Sequence, residues 1–138
     1  MLQDFVTHIS SEIGLEEDTA RTALGIVLNA ADRQGSQFAQ LVFENIPGAR
    51  TLAATSGVSV GAATGIIARL IEQTPGGRSA VAFQMVRDLQ KEGLGGNQIA
   101  GLMPAIGQFA KIKIGYKGAG HLGDFLGAGE AIDQVSAA

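Results

Sequence analysis

The stretch "GAGHLG", residues 118–123, spells the glycine spacing G-x-G-x-x-G. Such spacing lets a backbone approach a pyrophosphate, which then sits on the amides of a following helix. The preceding "KIKIGYK" alternates like a strand, although Ile106, Ala110 and Ile114 equally extend the helical stripe before it, and "DFL" follows like a helix start. A dinucleotide turn, however, needs a second parallel strand and an acidic residue about 20 positions on to hold the ribose. Asp133 falls inside the would-be helix and the sequence closes at Ala138. The glycines are therefore expected to form a hinge between the last two helices. A subordinate anion site is left, built from the amides of Gly118 and Gly120 beside Lys111, Lys113 and Lys117. The competing expectation for these lysines is a solvated helix end, where cations complement the dipole.

The remaining chemistry-bearing residues do not converge. His8 and His121 are the two histidines and cysteine is absent, so no zinc-type ligand set of three or four groups can be spelled out. Both histidines are expected at the surface. No motif places a serine beside a histidine. Glu16, Glu17 and Asp18 form an acidic run, but the first turn of a helix is where carboxylates stabilise the fold. No catalytic residues, no metal site and no cofactor are expected, which points away from an enzyme.

Association chemistry has a clearer signature. In "GVSVGAATG", Gly57, Gly61 and Gly65 repeat at four-residue spacing. On a helix they would form a smooth ridge that admits a close helix–helix interface. The same glycines lie in an uncharged span, residues 51–68, bounded by Arg50 and Arg69. That length is near the lower limit for a membrane crossing, but Thr, Ser and Gly dilute its apolarity. Packing inside a bundle or a linker is the preferred reading, with membrane association through residues 51–71 second.

The elements that must carry these residues read as helices. Leu2, Phe5, Val6, Ile9 and Ile13 line one helical face, and Gly14 supplies a left-handed end. Ala20, Ala23, Leu24, Val27, Leu28 and Ala31 form the stripe of a second helix that Gly35 ends. Ser36 is placed to cap a third, carrying Phe38, Leu41 and Val42, and Pro47 to stop it and open a short fourth. The small-residue middle, residues 54–65, reads as either loop or helix. Ile66, Ile67, Leu70 and Ile71 mark a further helix ending at "TPGG", and Ser79 then precedes one with Val81, Met85, Val86 and Leu89. Ile99, Leu102, Met103, Ile106 and Ala110 hold helical spacing through Pro104, which is expected to bend the helix. Leu122, Phe125, Leu126 and Ile132 suggest a last helix. Gly14-Leu15 and Gly93-Leu94 echo one another, each between two apolar helices. The expected fold is all-α, one domain over residues 1–138, a bundle of six to eight short helices.

Composition sets the outer bounds. A 138-residue chain that is 46% hydrophobic can bury a single core. Only 5% of residues are aromatic and Trp is absent, while Gly reaches 20, so packing must rest on small aliphatic side chains. Ten basic residues face thirteen acidic ones, without the clustered basic surplus of a nucleic-acid binder. The first residues, "MLQDFVTH", lack the basic flank and apolar run of a signal peptide. The chain is thus expected in the cytoplasm as it stands, or in the periplasm where a leader has been removed.

The order of "GLEEDTARTALGIVLNAA", "FENIPGARTL", a small-residue middle, "LQKEGLGGNQIAGLMPAIGQFAKIKIG" and "LGDFLG" resembles the bacterial VcgC/VcgE-type family of unknown function. That resemblance spans most of the chain, least in residues 56–80, and implies a compact helical domain without assigning any activity. Residues 5–30, "FVTHISSEIGLEEDTARTALGIVLNA", are also similar to the opening helical pair of histone-like HU proteins. The basic β-arms that follow in those proteins, and clasp DNA, have no counterpart after Gly35. The functional expectation is a non-enzymatic protein-association module, with itself or another protein as partner. A membrane- or lipid-associated envelope protein is the alternative, and anion or nucleotide binding at the C-terminal glycines ranks last.

Overall fold

A computed structural model describes residues 1–34, 36–59 and 75–115. Among these residues there are six helices and no strand: α1 (Leu2–Ile13), α2 (Glu17–Arg33), α3 (Gln37–Asn45), α4 (Ala49–Ser59), α5 (Pro75–Lys91) and α6 (Gly96–Ile114). The all-α architecture is as the periodicity predicts.

Helix α2 is the axis of the bundle and packs on α1, α3, α4 and α5. Its expected stripe is buried, but so is everything from Ala23 to Leu28 without a break, including Gly25 and Ile26. A helix buried all round must be surrounded by partners. Helix α1 lies between α2 and α6, while α3 and α5 close the bundle against α6. The largest fully buried side chains, among them Phe5, Leu24, Phe38, Leu89, Ile99 and Ile106, come from five different helices. Each such side chain contributes roughly 1.5–3 kcal/mol by leaving water.

The tightest approach lies between α2 and α4. A Cβ at Gly25 would sit 2.0 Å from Ser56 Oγ and 3.1 Å from Leu52 Cγ. Opposite it, α4 turns Ala49, Ala53 and Ser56 inward, a four- then three-residue spacing that forms one helical face.

Both Gly-Leu pairs perform the same task. Gly14 (φ 69°) and Gly93 (φ 97°) adopt the left-handed conformation. In each case the following leucine amide donates to the carbonyl five residues back, Leu15 to Ser10 and Leu94 to Leu89, both at 3.2 Å. This is the six-to-one bond of a Schellman helix end. The two turns meet, because Gln98 Nε2 reaches the carbonyls of Ile13 and Gly14 at 3.5 Å. The same side chain accepts from the Gly95 amide at 3.0 Å, so Gln98 ties the start of α6 to the end of α1. Ser36 caps α3 as expected, its Oγ accepting from the Phe38 amide at 3.1 Å.

Several boundaries differ from the sequence reading. Helix α4 continues to Ser59, so the first part of the small-residue middle is helical. Helix α5 starts at Pro75 and takes "PGG" into its first turn, four residues before Ser79. The reason is that proline's fixed φ suits the first helical position, where its missing amide has no intrahelical acceptor to lose. In agreement with the helical stripe that runs through Ile106, Ala110 and Ile114, "KIKI" is the last turn of α6, and Gly115 (φ 73°) ends it. Pro104 sits exposed within α6, which runs on unbroken. Gly35, the helix expected around Ile66–Ile71 and the one suggested by Leu122, Phe125, Leu126 and Ile132 lie outside the described residues.

Candidate functional site

One face of α1 presents Asp4, Thr7, His8 and Ser11, at the i, i+3, i+4, i+7 spacing that lines a helix. Across from it α6 presents Phe109, Ile112 and Lys113. Together they bound an open groove of about 390 Å³. The apolar side of α1 holds the two helices together from beneath: Phe5 and Phe109 stack with ring centres 4.2 Å apart and planes 16° apart. At the other end of the pair, Ile13 packs on Gly101, where a Cβ would come within 3.1 Å of its Cγ2. These two contacts run the helices antiparallel and fix their register.

His8 forms part of the groove wall. Its ring lies 5.7 Å from that of Phe109 at a 48° tilt, and its Nε2 is buried without a hydrogen-bond partner. The expected surface position is therefore corrected: His8 is half-buried. Burial follows from the tertiary fold, since the ring that covers it belongs to α6. Thr7 donates to Glu17 Oε1 at 3.2 Å, and Gln3 bridges Thr7, Glu17 and Arg21. Glu17, in the acidic first turn of α2, thus ties α2 to α1.

Among the described residues the groove shows no nucleophile–base relay through His8 Nε2. A nucleophile requires a base within hydrogen-bond reach, itself oriented by a third group, and His8 Nε2 reaches neither Ser11 nor a carboxylate. No cluster of three or more His, Cys, Asp or Glu residues that could hold a metal occurs among the described residues. What the groove does offer is apolar contact at its base and lip. Phe109 is buried, while Ile112 beside it is 67% exposed, which is unusual for a large aliphatic side chain in this bundle.

Other sequence candidates separate. Lys111 and Lys113 are both exposed on the last turn of α6, but two residues correspond to about 200° around a helix. Only Lys113 reaches the groove. Lys117, Gly118 and Gly120 lie outside the described residues, as do His121 and the rest of "GAGHLG". Gly57 is in α4, whereas Gly61 and Gly65 are outside the described residues. Among the described residues the closest helix–helix approach at a glycine is at Gly25, with a second at Gly101. No described helix is long and apolar enough to cross a membrane.

No protein-family model, curated protein or solved structure matches this chain. The fold and the groove define it as an all-α bundle with an apolar-lipped cleft between its first and last described helices.

Proposed function

We propose that this chain is a non-enzymatic helical module that works by protein association, including association with itself. The observation that carries this reading is Ile112, 67% exposed at the lip of a groove based on Phe109. An isoleucine left in water forgoes roughly 1.5–3 kcal/mol that burial against a partner would recover. An apolar lip rimmed by Asp4, Thr7, Ser11 and Lys113 has the composition of an interface, apolar at the centre and polar at the edge. The order of motifs along the chain supports placing it in the bacterial VcgC/VcgE-type family under the same reading.

Membrane or lipid association through residues 51–71 ranks second. Its described part, α4, directs Ala53 and Ser56 into the bundle, which leaves that face for α2 rather than for lipid. Anion or nucleotide binding at the C-terminal glycines ranks third, because Lys111 and Lys113 diverge.

The deciding experiment compares the immobilised wild-type chain with Ile112→Glu in a lysate of source cells. Because residue 112 is exposed within one copy of the chain, the variant should keep its helical content by circular dichroism and lose the captured protein. Equal capture by both chains would remove the α1/α6 groove from the proposal.

A further inference from the structure

We propose that the α1/α6 groove is a two-fold interface whose occupant is a second copy of this chain. The inference rests on the association reading above and specifies the partner and its register.

A two-fold interface is self-complementary: each feature on the patch must face its own counterpart's complement. This patch carries both halves of each complement. It has an apolar knob, Ile112, and a cleft floored by Phe109 beside it. It also has a negative and a positive group, Asp4 on α1 and Lys113 on α6. These two charges are not paired with each other: Asp4 instead pairs with the Met1 ammonium at 4.0 Å. The Asp4 side chain remains 77% exposed.

The register of the helices decides how two copies meet. Phe5 on Phe109 and Ile13 on Gly101 set α1 and α6 antiparallel at a single offset. In that offset Asp4 lies level with Ala110, three residues or about 4.5 Å along the axis from Lys113. A two-fold axis running along the groove lays α1 of each copy over α6 of the other and keeps every residue at its own height. Asp4 of one copy then comes within a turn of Lys113 of the other, twice per dimer. Ile112 of each copy enters the groove of its partner. A rotation about an axis across the middle of the groove would instead lay α1 on α1 and send Asp4 beside Ser11, where the lining offers no lysine or arginine.

The test is sedimentation equilibrium on the full chain with four variants, each checked for wild-type helicity by circular dichroism. The wild type should form dimers, and Ile112→Glu should be monomeric. Asp4→Lys and Lys113→Glu should each weaken dimerisation roughly tenfold by setting like charges face to face. The double variant Asp4→Lys/Lys113→Glu should recover most of that loss. A wild type that is monomeric at every soluble concentration overturns the inference, as does a dimer indifferent to Ile112→Glu. Charge reversals that weaken the dimer without mutual rescue overturn the register. A monomer that still captures another protein through Ile112 sinks this inference alone and leaves the association reading standing. A monomer that captures nothing removes both.

Discussion

At Gly25 two opposing effects meet when a methyl group is added. Alanine is the better helix former by about 0.8–1 kcal/mol. Yet the new Cβ would lie 2.0 Å from Ser56 Oγ, far inside contact distance, so α2 and α4 must move apart or Ser56 must leave its rotamer. Overpacking of this kind costs about 1–3 kcal/mol, and the overlap wins. Gly25→Ala should therefore lower the urea midpoint with no change in m value, and adding Ser56→Gly should restore part of the loss. An unchanged midpoint would show that α4 sits farther from α2 than described. Gly25 is hard to pick out in the sequence, because it interrupts an apolar stripe without marking a turn. His8 is hidden for a related reason: the spacing of α1 puts it at the edge of the apolar face, and only the arrival of Phe109 decides that it is half-buried.

The helices themselves were legible. Leu2, Phe5, Val6, Ile9 and Ile13 predict α1, Ser36 predicts the start of α3, and Gly14 and Gly93 predict two helix ends, all of which the fold contains. Such signals are local, resting on side-chain period and on backbone conformations open to glycine. At Gly14 a Cβ would meet nothing within 4 Å, so substitution there has a purely conformational cost. Gly14→Ala should destabilise by about 1 kcal/mol, the left-handed penalty partly offset by a stiffer unfolded chain. Gly14→Asn should cost less, since asparagine tolerates this conformation. Thermal melts of both variants check the order, and an alanine as stable as glycine would contradict the helix end described here. Boundaries were less legible where a breaker residue has two uses. Pro75 reads as the end of one helix and serves as the beginning of another.

For the molecule as a whole, the burial of α2 on every side makes it the last element to open. Amide exchange should be slowest in residues 24–28, whose release requires separation from α1, α3, α4 and α5 together. Helix α3 should exchange faster, and the reverse order would mean that α2 is not the centre of stability. The sequence by itself determined the all-α class, the period of each helical face, the capping serine and the left-handed glycines, because these depend on interactions within a few residues of chain. It also determined that aliphatic side chains would make most of the core, because few aromatic ones are present. Only the tertiary structure decided that Gly25 is the point of closest helix approach, that the two Gly-Leu turns meet through Gln98, and that α1 and α6 enclose a groove with Ile112 at its lip. Those features join residues far apart in the chain, and their geometry is set by how whole helices pack, which no local pattern encodes.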